Sequence, residues 1–267
     1  MSTRATTMAG PDGRQYHIGL APGELADRIL VCGDPSRVER FAAAHLERVE
    51  LERRHREYVT ITGEREGRRI SVMATGMGAD NTEIAMVEMA ALVPRATVVR
   101  MGSSGALQPG VALGDLVVST AAVRLESTST AYVPEGFPAV ADPELVLALR
   151  DACVAGGVPH HVGLTATAAG FYGAQGRSVG PFRARRPEIT AELAACGVLN
   201  LEMECSALFT LALLAGWRAG AVCAVYANRS SDAGLDEGAR AEAEARCMAV
   251  AIAGLLRCTD GPASSAG

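Results

Sequence analysis

The amino-acid sequence predicts a single α/β domain. Three observations carry this expectation. Short apolar runs rich in β-branched residues alternate with longer segments of helical periodicity. The alternation continues along nearly the whole 267-residue chain, with no internal repeat and no low-complexity linker. Several apolar runs end in glycine, as strands do where they turn into a ligand-binding crevice. The chain is 49% hydrophobic and 21% charged, a globular composition.

The elements follow in order. Residues 1–15 are polar and read as a flexible arm, and residues 259–267 (TDGPASSAG) as a disordered tail, leaving 16–258 as the domain. Arg28–Cys32 (RILVC) is a short strand ending at Gly33. Asp34 then offers an N-cap and Pro35 a first helical residue, so a helix follows. Segments 58–63 and 69–75 form a hairpin turned by Glu66-Gly67. Asp80 and Glu83 have capping-box spacing and open a helix over 82–93, stopped by Pro94. Strands are expected at 96–101, 116–123, 161–168 and 220–227. Helices are expected at 143–155, 187–196, 206–215 and 238–256.

Composition excludes several function classes. All 25 basic residues are Arg, so a Walker-A lysine and a Schiff-base lysine are both ruled out. The formal charge is −5 and no basic stripe stands out, which argues against nucleic acid as a partner. Five His show no metal-binding spacing, and seven Cys include no C-x-x-C pair. The cysteines sit in apolar surroundings, as in Ala-Val-Cys223-Ala-Val, and fit a reducing cytoplasm. No apolar leader is seen in the opening residues, and the greasiest stretch, 207–216, is too short to span a membrane.

Three strand-to-turn junctions concentrate polar chemistry: Gly33-Asp34-Pro35-Ser36-Arg37, Thr75-Gly76-Met77-Gly78 and Arg100-Met101-Gly102-Ser103-Ser104-Gly105. The second fails as a dinucleotide fingerprint, because Asn81 occupies the third glycine position and no acidic residue follows at the right distance. The first and third suit a small oxyanion: glycine admits a ligand close to backbone N–H groups, and Arg37 and Arg100 supply planar forks. Arg37 and Arg56, taken singly, are no more than the surface residues that arginines usually are. Arg100 differs, because inside Ala96-Thr-Val-Val-Arg-Met-Gly its charge demands a bound anion or a carboxylate. Glu202 and Glu204 immediately precede a very apolar segment. They either serve the positive end of a helix or accept hydrogen bonds from a vicinal diol, with Met203 against the sugar face. Phe171-Tyr172-Gly173-Ala174-Gln175-Gly176-Arg177 is either an ordinary surface loop or a base reader, in which Gln175 and Arg177 address a pyrimidine edge and Phe171 stacks on it.

Taken together and in order, the segments HIGL, GDPSR, HREY, TGMG, RMGSSGALQPG, GDLVVSTAAVR, FPAVAD, FYGAQGR, EMECSA and NR resemble the nucleoside phosphorylases of the trimeric and hexameric class. The resemblance runs from Tyr16 through the closing helix. It implies a three-layer α/β/α fold with a central mixed, twisted sheet flanked by helices. It also implies a pentosyltransferase that cleaves nucleosides with phosphate, used in nucleoside salvage. By this resemblance Gly33, Arg37, Arg100 and Ser103 bind phosphate, joined by Arg56 from a neighbouring subunit. Glu202, Met203, Glu204 and Ser103 hold the ribose, with His17 of the neighbour at its 5′-hydroxyl. Phe171, Gln175, Arg177 and Arg229 recognise the base, and Arg100, Glu204 and Arg177 carry catalysis.

The FxxxQxR pattern resembles the uridine-cleaving branch, and Asn228 stands where purine-cleaving relatives carry an Asp. No organic or redox cofactor is implied, and phosphate is a substrate. The family's monovalent-cation site, for K+ at a subunit interface, falls near Glu57 and Asn81, where Asn81 replaces a serine. The implied assembly is a homo-oligomer built from dimers, a hexamer. Ser103-Ser104 replaces two threonines and Leu201 replaces an aromatic residue, which keeps other nucleosides open, purine or modified pyrimidine. A nucleoside hydrolase of the same fold and a non-catalytic nucleoside-binding protein remain as alternatives.

Overall fold

A computed structural model describes residues 9–258. The 1–8 part of the expected arm and the expected tail at 259–267 lie outside the described residues. Residues 9–15 do not behave as a free arm: Arg14 Nη1 donates to Glu24 Oε2 at 2.9 Å and to Gly19 O at 2.7 Å, and Gln15 N–H donates to Leu20 O.

The strands are β1 (Arg28–Cys32), β2 (Arg48–His55), β3 (Tyr58–Arg65), β4 (Arg68–Ala74), β5 (Thr97–Ala106), β6 (Leu116–Leu125), β7 (Ala139–Val140), β8 (His160–Ala168), β9 (Asn200–Glu202), β10 (Arg218–Asn228) and β11 (Ala233–Gly234). The helices are α1 (Pro35–His45), α2 (Ala79–Ala90), α3 (Pro143–Ala155), α4 (Ile189–Ala195), α5 (Cys205–Leu214) and α6 (Glu237–Arg257). The strands form one mixed sheet in the order β11-β10-β6-β8-β9-β5-β1-β4-β3-β2, with β7 beside β6. The extra β10–β5 pairing closes five of them, β5, β10, β6, β8 and β9, into a ring.

Strand alternation builds the layers. In β1, Leu30 and Cys32 join one core with β5's Val99 and Met101, where α1, α3 and α6 pack. Ile29 and Val31 join the other core with Val98, where α2 and α5 pack. The expected three layers and mixed sheet are therefore present. The N-caps at Asp34 and Asp142, each followed by Pro, form as the local sequence dictates; Asp34 accepts from Ser36 N–H at 2.9 Å. The β3–β4 turn sits at Glu66 and Gly67, both at positive φ.

Three elements differ from the sequence reading. β2 was not expected, because RVELERRH is charged and mostly exposed. It survives as a sheet edge through neighbouring ion pairs such as Arg48–Glu64 and Arg69–Glu50, both 2.9 Å. The Asp80/Glu83 capping box does not form. Gly78 caps α2, while Asp80 accepts from the Thr128 hydroxyl and Glu83 from the Tyr132 hydroxyl. Residues 200–202 form a strand, β9, rather than a simple run into a helix, because they bridge β5 and β8 inside the ring.

Candidate active site

The parallel strands β1, β4, β5 and β10 end on one side of the sheet, and a cleft of about 630 Å³ opens there. Gly33 and Arg37 line it after β1, Met77 after β4, Arg100 and Ser103 from β5, and Phe171, Gln175 and Arg177 from the loop after β8. Glu202, Met203 and Glu204 line it between β9 and α5. The structure thus brings together the residues expected at the phosphate, sugar and base positions within one chain, apart from Arg229 and those expected from a neighbour.

Arg100 explains its place in an apolar strand. Its alternation puts it on the α5 face, and Gly102 clears the space: a Cβ there would stand 2.8 Å from Arg100 Nη2 and 2.7 Å from Cys223 Sγ. Arg100 Nε donates to Glu202 Oε2 at 3.0 Å, and Nη2 pairs with Glu204 Oε2 at 2.5 Å. Burial works against its charge, but the two carboxylates more than offset this and hold its pKa well above the ordinary arginine range.

The adjacent carboxylates do different work. Glu202 is 1% exposed at its side chain, and both of its oxygens are engaged. Thr167 Oγ1 donates to Oε1 at 2.6 Å, Glu204 N–H to Oε2 at 2.8 Å, and Cys205 N–H to both. The β8–β9 register, Thr167 opposite Glu202, sets this up. Glu202 lines the cleft, and its hydrogen bonds in this chain go to Arg100, Thr167 and the first N–H groups of α5. Glu204 accepts from Gly78 N–H at 2.7 Å and pairs once with Arg100, so each of its oxygens keeps acceptor capacity toward the cleft. Burial, and then the Glu202 charge, outweigh Arg100 and raise the Glu204 pKa above the usual carboxylate value.

Arg37 is held in the same manner. Nε donates to Glu244 Oε2 at 2.8 Å and Nη1 to Met101 O at 3.1 Å, and Arg40 and Tyr226 also reach Glu244. Glu244 and Thr167 were missed in the sequence. Glu244 had a legible signal, since it lies on the α6 stripe of Ala243, Cys247, Met248 and Ala251, where a carboxylate needs a partner. Thr167 had none.

At the opposite end, Arg177 Nη1 donates to Gln175 Oε1 at 2.6 Å and also to Phe171 O, and its guanidinium lies 4.1 Å from the Phe171 ring centroid. Gly176, at φ +76, makes the turn between the two readers. Arg229 does not line the cleft; its Nη1 donates to Gln175 O at 3.3 Å and so braces the loop. Burial, then the Arg229 charge, lower the Arg177 pKa, and burial lowers that of Arg229. Among the described residues Arg177 makes no ion pair with a carboxylate, while Asp232 partly offsets the charge of Arg229. Asn228 faces away: Nδ2 donates to Gln108 O and Val111 O, and Oδ1 accepts from Ser230.

His17 and Arg56 stand outside the cleft, on a shared patch. His17 Nδ1 lies 2.6 Å from Glu88 Oε1, and Arg56 sits 4.7 Å from the Tyr16 ring centroid. For the expected cation, Glu57 is exposed, and Asn81 turns its Nδ2 to Met77 O at 3.1 Å, presenting a donor there. No group of three His, Cys, Asp or Glu able to hold a metal occurs among the described residues. One chain does not assemble these residues into a cation site.

A family model described as the phosphorylase superfamily matches residues 27–261. The chain belongs to the phosphorylase superfamily. This phosphorylase is 45% identical over 240 residues to a uridine phosphorylase of Thermococcus kodakarensis, covering 88% of the chain and 86% of that relative. It is 41% identical over 224 residues to a uridine phosphorylase of Escherichia coli, covering 80% and 86%. Among solved structures it resembles a Trypanosoma brucei nucleoside phosphorylase described as showing uridine phosphorylase activity. That match has a TM-score of 0.89 and 26% identity, covering 94% of this chain and 99% of the other.

Proposed function

We propose that the phosphorylase is a pentosyltransferase that converts uridine and phosphate reversibly into uracil and ribose 1-phosphate. The carrying observation is the polarity of one cleft. Arg100 is clamped between two carboxylates at one end, and the Phe171–Gln175–Arg177 loop stands at the other without a counter-charge. Similarity to uridine phosphorylases over most of the chain supports the same reading.

In the reaction the C1′–N1 bond breaks as C1′ gains a phosphate oxygen. Arg37 and Arg100 hold phosphate beneath C1′, aided by Ser103. Glu204 accepts ribose hydroxyl hydrogens, and Met203 packs on the sugar. The bond's electron pair leaves on uracil, where Arg177 and the Gln175 amide donate to the developing anion. The second lone pair of Gln175 Oε1 accepts from N3–H. Such preorganised donors contribute about 2.7–4 kcal/mol each to the transition state. The displacement is redox-neutral and phosphate is its nucleophile, so the chemistry calls for no organic cofactor. Asn228, committed to two backbone carbonyls, cannot protonate a purine, which favours a pyrimidine substrate.

The patch holding His17 and Arg56 supports a homo-oligomer in which a neighbour completes the sugar and phosphate positions. Dimers, and a hexamer built from them, are the proposed assembly, measurable by light scattering. A role in pyrimidine salvage fits this chemistry. The seven unpaired cysteines fit a reducing cytoplasm, and no described helix is long and apolar enough to cross a membrane.

The test incubates the protein with uridine, deoxyuridine, thymidine, cytidine, inosine or adenosine, with and without phosphate. Uracil and ribose 1-phosphate formed only with phosphate are expected. Uracil without phosphate would identify a hydrolase, and thermal stabilisation by uridine without turnover would identify a binding protein.

A further inference from the structure

The phosphate end of the cleft is short of positive charge within one chain. Arg37, Arg40 and Arg100 face four carboxylates there: Asp34, Glu202, Glu204 and Glu244. A phosphate dianion entering this set would meet one excess negative charge. Every cation that closes the set is already hydrogen-bonded to a carboxylate. Arg240 is the exception among the arginines lining the cleft: its side chain makes no hydrogen bond or ion pair among the described residues.

Its position has a second peculiarity. Arg240 lies in the first turn of α6, where its own N–H closes on Asp236 O at 3.0 Å. A cation there opposes the helix macrodipole, so the location disfavours the helix rather than stabilising it. Four residues on, and hence on the same helical face, Glu244 anchors Arg37. Arg240 is thus the exposed, uncommitted guanidinium one turn outward from the buried one.

We propose that Arg240 is a phosphate-recognition residue at the cleft mouth, drawing the dianion in and offsetting the surplus of carboxylates around Arg37 and Arg100. This rests on the phosphorolysis reading, and it adds a residue to the phosphate end that the sequence reading did not include.

The experiment measures uracil release by the full chain with phosphate varied at saturating uridine, at low and high salt. It compares the wild type with Arg240→Gln, Arg240→Glu and Arg240→Lys. Arg240→Gln is expected to raise KM for phosphate roughly fivefold to tenfold, from the loss of one charge facing a dianion across solvent. Arg240→Glu should raise it further, and Arg240→Lys should restore most of the loss. KM for uridine should stay within about twofold. The salt dependence of the phosphate KM should flatten in Arg240→Gln, and its Tm should not fall, because removing the cation relieves the helix dipole.

An unchanged phosphate KM in Arg240→Glu, with uracil release still phosphate-dependent, overturns the proposal and leaves the phosphorolysis reading intact. Uracil release without phosphate overturns that reading instead. Calorimetric titration of inorganic phosphate into wild type and Arg240→Glu then decides Arg240 separately: weaker binding in the variant supports it, and equal binding refutes it.

Discussion

Replacing Glu202 by Gln separates the two adjacent carboxylates. The Glu202 oxygens accept from Thr167, Arg100 and the N–H groups of Glu204 and Cys205. A glutamine offers one oxygen to these donors and sets an NH2 against the remainder. With the amide oxygen kept toward Arg100, the Thr167 hydroxyl loses its acceptor, and the charge assistance to Arg100 is gone. Losing one charged hydrogen bond costs about 1.5–3 kcal/mol, or about 3–10 °C in Tm for a domain of this length. Uridine kcat/KM should fall by less than about tenfold, because Glu204 still faces the cleft and still holds Arg100. Glu204→Gln is the contrast. It replaces one acceptor oxygen by an NH2 and removes the charge that faces the sugar, and should cut kcat/KM about 10²–10³-fold, with the smaller loss of Tm, since Glu204 holds two donors, Gly78 and Arg100, where Glu202 holds four. Calorimetry at one fixed protein concentration, which holds assembly constant, and steady-state kinetics read both variants. Glu202→Gln with wild-type Tm and a hundredfold loss on uridine would refute the reasoning and place Glu202 at the ribose.

Arg177→Ala should lower kcat/KM for uridine about 10²–10³-fold and leave phosphate binding, followed by titration calorimetry, within about twofold. The acid limb of the uridine kcat/KM profile should lie above the ordinary carboxylate range. Burial and the Glu202 charge raise the Glu204 pKa, and the ionised form that accepts from the sugar is lost as pH falls through that raised value. A limb that stays in the profile at the same pH in Glu204→Gln would contradict this. Asn228→Asp should not admit inosine. The new carboxylate would face the carbonyls of Gln108 and Val111, so the expected result is a loss of about 2–4 kcal/mol, read by denaturant melts, with no hypoxanthine released.

Local physics made much of the fold legible. Asp34-Pro35 and Asp142-Pro143 start helices because an Asx cap and a fixed proline φ act over three residues. Glu66-Gly67 turns a hairpin for an equally local reason. The charged strand β2 was invisible, because its stability comes from partners such as Glu64 and Arg69 on neighbouring strands. The Asp80/Glu83 spacing misled because Thr128 and Tyr132, distant in sequence, took those carboxylates away from their own helix.

The sequence by itself determined which chemical groups this protein possesses. It supplied arginines without lysines, a charge in an apolar strand that demanded compensation, paired glutamates before a greasy helix, and a Phe-Gln-Arg loop. Only the tertiary structure decided how they divide the work. Closure of β5, β10, β6, β8 and β9 into a ring sets Thr167 beside Glu202, which buries one glutamate as a clamp and leaves the other open to the cleft. The distinction lies in hydrogen-bond count and in which groups each carboxylate faces. Neither is a property of two glutamates side by side in a sequence; both arise from what the rest of the chain packs around them.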